Sequence, residues 1–166
     1  MNTTTAVELK AIPATLIHEA TASAPGGGPE NISPVIGPLY DRLEAALAEV
    51  GVPVREPSIA YYTAEGESYE VMQGEVVVHV GYLAEPGDAS GDGFALVELP
   101  PLVQAATLVH HGVMPRIGES WMALYEWADQ NGYRPAGYCR EVYLVADSPD
   151  QLDWVTELQL PVERIS

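Results

Sequence analysis

Cysteine is almost missing from this 166-residue chain. Cys139 is the only one, so no disulfide can form within the chain and thiolate-based zinc sites are excluded. A lone Cys in a strand-like stretch reads as a small core residue. Basic residues are scarce as well: 7 Lys and Arg stand against 24 Asp and Glu, for a net charge of −17. Such an average field repels a phosphate backbone, so direct nucleic-acid binding is not expected. It favours a cationic ligand or a basic protein surface. No apolar run approaches the roughly 20 residues that span a bilayer, and no membrane association is expected. Met1 to Thr5 lack the basic-then-apolar pattern of a secretory signal, which leaves the cytoplasm as the expected compartment.

Several chemical signatures are missing too. The histidines His18, His79, His110 and His111 show neither H-E-x-x-H nor H-x-x-x-H spacing, and neighbours in a strand such as His110 and His111 point to opposite faces. No metal site is expected. Gly26-Gly27-Gly28 lacks the Lys-Ser/Thr of a phosphate-binding loop, and no G-x-S-x-G marks a nucleophilic serine. No cofactor is expected.

What is present is an internal repeat on a 47% hydrophobic background, enough for a core. Val7-Glu8-Leu9 and Val97-Glu98-Leu99 open the two copies. Each continues, past proline (Pro13; Pro100 and Pro101), into a β-rich stretch: Thr15-Leu16-Ile17-His18 and Thr107-Leu108-Val109-His110. Proline inside such runs suits an edge strand or a bulge. A turn region and the dipeptide Ile-Gly (Ile36-Gly37; Ile117-Gly118) precede a helix in each copy. In the first, Leu39, Tyr40, Leu43, Leu47 and Val50 recur at helical spacing, with Pro38 as first helical residue and Gly51 as left-handed cap. In the second, Trp121, Leu124, Tyr125 and Ala128 form the stripe and Asn131-Gly132 stops it.

Two strands follow each helix: Ser58 to Thr63 and Glu75 to Leu83, then Tyr138 to Ala146 and Trp154 to Val162. Acidic turns, Ala64 to Ser68 and Asp147 to Asp153, separate them. The expected fold is α+β: two pseudo-symmetric βαββ modules with antiparallel sheets, one helix on each, and a ligand groove between the halves. The halves span about 5–84 and 94–166, within a single domain 1–166, and the Gly/Asp-rich stretch 85–93 is an exposed connector.

Strand alternation assigns faces. Leu158, Leu160 and Val162 share one face and Glu157 and Gln159 the other; Val142 and Leu144 oppose Cys139, Glu141 and Tyr143. If the aliphatic faces meet the helix, the groove face collects Glu141, Tyr143 and Glu157. Aligning the halves (Ala60-Tyr61-Tyr62 on Glu141-Val142-Tyr143; His79-Val80-Gly81 on Glu157-Leu158-Gln159) adds Tyr62 and His79. Aromatic surface with carboxylate suits a flat, lipophilic cation.

Three stretches of the second half carry a family resemblance: Gly118-Glu119-Ser120-Trp121-Met122-Ala123-Leu124-Tyr125-Glu126-Trp127 with Asn131-Gly132-Tyr133, then Arg140-Glu141-Val142-Tyr143-Leu144, then Thr156-Glu157-Leu158-Gln159-Leu160-Pro161-Val162. In order and spacing they resemble the GyrI-like small-molecule-binding family, which also supplies effector-binding domains of some AraC-type and MerR-type transcription activators. The resemblance implies a pocket for varied lipophilic cations with a buried glutamate, here Glu141. It also implies stacking aromatics, here Trp121, Tyr125, Tyr62 and Tyr143; Glu157 matches the family's final strand. No helix-turn-helix precedes the module in this sequence, so a stand-alone member is expected. The leading expectation is a binding protein. The alternatives are a hydrolase of reactive electrophiles such as cyclopropane-bearing DNA alkylators, with Glu141 and Tyr143 as its chemistry, and an acidic interaction protein of gyrase-inhibitor type.

Overall fold

The computed structural model describes residues 6–27, 29–64 and 74–165. Its elements run β1 (Glu8–Ile12), β2 (Thr15–Ala24), α1 (Pro29–Glu49), β3 (Ser58–Thr63), β4 (Val76–Leu83), β5 (Ala95–Leu99), β6 (Leu102–His111), α2 (Ile117–Gln130), β7 (Tyr133–Pro135), β8 (Arg140–Val145) and β9 (Val155–Arg164). They form two compact units. The first is Ala14–Pro100; the second combines Pro101–Ser166 with Met1–Pro13.

The expected α+β composition of antiparallel strands and one helix per module is present in both. In the first unit β2 lies between β4 and β5, and β3 pairs with the other edge of β4. In the second, β6 lies between β9 and β1, and β8 pairs with the other edge of β9. Both units therefore share one strand order. In each, the outermost strand beside β2 or β6 comes from the run that opens the other sequence copy. The prolines do this: Pro13 and the pair Pro100-Pro101 cannot donate to a ladder, so each predicted Pro-interrupted strand is two strands, β1/β2 and β5/β6, pairing in different units.

In the first unit α1 packs on β2 and β4. Leu39, Leu43 and Leu47 form its buried stripe, each 1% exposed or less. The Tyr82 hydroxyl donates to Glu44 Oε2 on α1 at 2.6 Å, which fixes the helix side of β4 as Val76, Val78, Val80 and Tyr82. Burial and the Glu44 carboxylate together raise the Tyr82 phenol pKa. The helix begins at Pro29, not at Pro38, and holds Pro34 and Pro38 inside it. Each proline removes a backbone donor, yet the apolar stripe runs across them from Ile32 to Leu47, so packing overrides propensity. Gly51, at φ 73°, ends it as expected.

The connector is exposed along most of its length, but Asp88 anchors it. Arg55 grips Asp88 through two parallel bonds of 2.6 and 2.9 Å. The Glu85 amide donates to Asp88 at 2.9 Å, and buried His18 meets it through Nε2 at 2.8 Å. A carboxylate accepts, so Nε2 carries the proton, and His18 Nδ1, which has no partner among the described residues, holds the lone pair.

In the second unit Leu158 and Leu160 of β9 join Ala106 and Leu108 of β6 in a core under Ile117, Leu124 and Ala128 of α2. The short strand β7, absent from the sequence reading, pairs with the end of β9. Gly132, at φ 82°, terminates α2 where Asn131-Gly132 predicted. The turn predicted over Ala64 to Ser68 lies, beyond Ala64, outside the described residues.

Two outcomes test this framework. Leu158, fully buried, should cost about 2–5 kcal/mol on replacement by Ala, read by denaturant unfolding. The second concerns Asp88, whose pKa is lowered first by the Arg55 bonds, then by the Glu85 amide and His18. Its stabilisation is present above the unfolded carboxyl pKa of about 3.9 and fades as the pH falls toward the lower folded value. Asp88→Asn should destabilise at neutral pH, and the gap to wild type should close in acid below that range; a gap that stays constant with pH would contradict the anchor.

Candidate functional site

Strand β8 is buried on both faces across Arg140, Glu141, Val142 and Tyr143. Alternation alone therefore does not say which of its faces meets the helix. The register does. Glu141 lies opposite Leu158 and Tyr143 opposite Thr156, and directly paired residues share a face. Leu158 is in the core beneath α2. Glu141 and Tyr143 thus stand on the helix side, while Val142, opposite Glu157, stands on the other. This reverses the sequence assignment, which gave the helix side to aliphatic Val142 and put Glu141 with Glu157. The reversal is tolerable because the helix brings the polar partner that a buried carboxylate requires.

That partner is Trp121. Its indole N–H donates to Glu141 Oε2 at 3.0 Å, and the Tyr143 hydroxyl donates to Oε1 at 2.7 Å. An indole N–H can only donate, so both oxygens are met as acceptors. Glu141 is 6% exposed and Tyr143 7%. Rings extend around the pair: Trp121 and Tyr125 lie tilted at 6.2 Å, and Trp154 meets Tyr143 edge-on at 6.5 Å. Tyr125 and Cys139 are joined through hydroxyl and Sγ at 3.2 Å. Burial, with the Glu141 charge adding to it, pushes the Cys139 thiol pKa up to about 12, against the pull of the Tyr125 bond. Thiolate chemistry is disfavoured there.

Four of the sequence-named residues, Glu141, Tyr143, Trp121 and Tyr125, therefore form one carboxylate–aromatic cluster in the second unit. Trp154 belongs to it as well; in the sequence it marks only the start of a strand, because nothing local links it to Tyr143. Glu157 is on the opposite sheet face. It takes the Lys10 ammonium at 2.7 Å and the Gln159 amide at 2.7 Å. Tyr62 and His79 lie in the first unit, also on different faces: Tyr62 pairs with Val78 on the α1 side, and His79 pairs with Tyr61. His79 stacks on Tyr61 at 4.2 Å, sits 3.2 Å from Glu19 and meets Thr63 Oγ1 at 2.8 Å. Tyr61 also donates to Glu19. His79 and Glu157 thus each belong to a polar network facing away from the helix of their unit.

A separate open cleft of about 850 Å³ runs beside α2, walled by Val7, Leu108, Ala123 and Trp127 and rimmed by His110, Arg116, Glu119 and Ser120. Glu141 is not in its lining. Among the described residues no three His, Cys, Asp or Glu side chains converge as a metal site, and no helix is long and apolar enough to cross a membrane.

Solved structures share this fold. The EcmrR C-terminal domain aligns with a TM-score of 0.72 at 20% identity, covering 97% of this chain and 99% of its own. SAV2435 bound to tetraphenylphosphonium gives 0.65 at 13% identity, covering 95% and 94%. A hydrolase from Listeria innocua gives 0.60 at 13%, covering 96% and 93%. At such identities the likeness is one of fold. No curated relative matches in sequence. A model of the GyrI-like small molecule binding domain matches residues 4–163, nearly the whole chain, and the protein belongs to that family.

Proposed function

We propose that this GyrI-like domain binds lipophilic organic cations and that Glu141 is the charge that selects them. The observation that carries this is a carboxylate only 6% exposed, set among Trp121, Tyr125, Tyr143 and Trp154 on the apolar side of a sheet. Burying a carboxylate costs several kcal/mol and by itself adds little to stability, even when it is hydrogen-bonded. A cationic guest offsets that cost directly. Ring faces add cation–π attraction of about 0.5–2 kcal/mol each where water is excluded. The rings also give apolar area to a hydrophobic guest at about 25 cal/mol per Å². At long range the net charge of −17 raises the local concentration of cations. A fold neighbour, SAV2435, whose structure is bound to tetraphenylphosphonium, a cation of this class, supports the same reading.

A second reading is favoured by one contact. The Tyr143 hydroxyl donates to Glu141 at 2.7 Å, placing a proton donor beside a base, and a Listeria innocua neighbour is named a hydrolase. Opening of a strained electrophile such as a cyclopropane would use Glu141 to activate water and Tyr143 to protonate the leaving carbon or oxygen. Product formation above the buffer rate, followed by mass spectrometry, distinguishes turnover from stoichiometric binding.

Glu141→Gln keeps the shape and removes the charge. Fluorescence titration with tetraphenylphosphonium or a planar dye cation should show affinity weakened by about 1–3 kcal/mol, roughly 5- to 150-fold. The loss should persist at high salt, because a buried charge is poorly screened. Unchanged affinity in the variant would remove Glu141 from the site.

A further inference from the structure

We infer that Ser120 and His110 form a nucleophilic dyad opening onto the cleft beside α2, a second site that takes an acyl group from small apolar esters. His110 is 5% exposed on β6. Its Nε2 lies 3.0 Å from the Val113 carbonyl oxygen, which can only accept, so Nε2 carries the proton. In the neutral ring Nδ1 then holds the lone pair. Ser120 Oγ lies 2.7 Å from Nδ1 and donates to it. This is the relation a serine nucleophile needs: its proton already points at the base, and the base's other nitrogen is held by a fixed acceptor. A backbone carbonyl fills the orienting place that a carboxylate takes in triads. Once the proton has moved, the imidazolium donates from both nitrogens, so neither protonation state leaves a buried nitrogen unmet.

The surroundings are those of a binding cleft. Leu108, Ala123 and Trp127 supply apolar walls for an acyl or aryl group. Ser120 stands in the first turn of a 14-residue helix, at its positive end. Arg116, also on the rim, stands one helical turn before Ser120 and is paired with Glu119 at 3.0 and 3.1 Å, which brings a cation to the side of the cleft where an oxyanion would develop. The steps balance without another reactant. Ser120 Oγ bonds to the ester carbonyl carbon as its proton passes to His110 Nδ1. The carbonyl–O bond of the ester breaks, and the departing alcohol takes that proton. Water then attacks the acyl-serine, giving a proton to Nδ1; the acyl–Oγ bond breaks and Ser120 recovers the proton.

The contrary reading is that the Ser120–His110 bond only tacks α2 onto β6. The intact protein treated with 4-nitrophenyl acetate, and separately with a fluorophosphonate, decides between them by peptide mass spectrometry. The expected result is an adduct on Ser120, with an acylation rate that rises as the imidazole loses its proton. Ser120→Ala should lose the adduct, and His110→Phe should slow it by about 100-fold or more. Ser23→Ala, on an exposed serine of β2, should label as wild type. Adducts absent from Ser120, spread equally over exposed serines, or formed at a pH-independent rate would overturn the dyad. Site mapping on the wild type decides even if His110→Phe fails to fold. The readout does not involve cation binding, so its failure leaves the Glu141 reading standing.

Discussion

A carboxylate on the inner side of a sheet must find donors or leave the fold, and Glu141 finds them in Trp121 and Tyr143. Much of the second unit follows from that requirement. The indole must reach β8 from α2, which fixes the rotation of the helix about its axis. With Trp121 turned to the sheet, Leu124 and Ala128 fall into the core with Ile117 one turn earlier. Ser120, one residue before Trp121, is carried round to the cleft side instead. The polar contact and the apolar packing therefore specify the same helix orientation.

The prolines act at the next level. A run such as Val7 to His18 has the composition of one long strand, but Pro13 interrupts its ladder, and its two parts pair in different units. Pro100 and Pro101 do the same to the second copy. Each unit consequently contains an outer strand from the other copy's opening, and the boundaries of the compact units fall at the prolines.

The sequence disclosed the repeat, the β-α-β-β order, the bounds of β3 and both glycine-capped helix ends, because periodicity and turn residues are local signals. It named Glu141, Tyr143, Trp121 and Tyr125, which the fold brings together, in one set with Tyr62, His79 and Glu157, which it does not. It did not disclose the side on which Glu141 stands. Strand β8 buries both faces, so the usual contrast between an apolar and a polar side is missing there, and only cross-strand register resolves it. Helix α1 starts nine residues before the expected Pro38, because a proline suits a first helical position, whereas the apolar stripe from Ile32 to Leu47 carries the helix across both Pro34 and Pro38. The tie between His110 and Ser120 joins a strand to a helix across a turn, and no residue-spacing rule describes it.

The central claim is that a negative charge held among aromatic rings chooses the guest. The most direct measurement compares calorimetric titrations of a tetra-aryl cation and the tetra-aryl anion of the same shape, at a salt concentration high enough to screen the net charge of −17. The account expects heat and saturation with the cation and none with the anion. Equal binding of both would show that shape and apolar area decide, and would contradict the role given to Glu141.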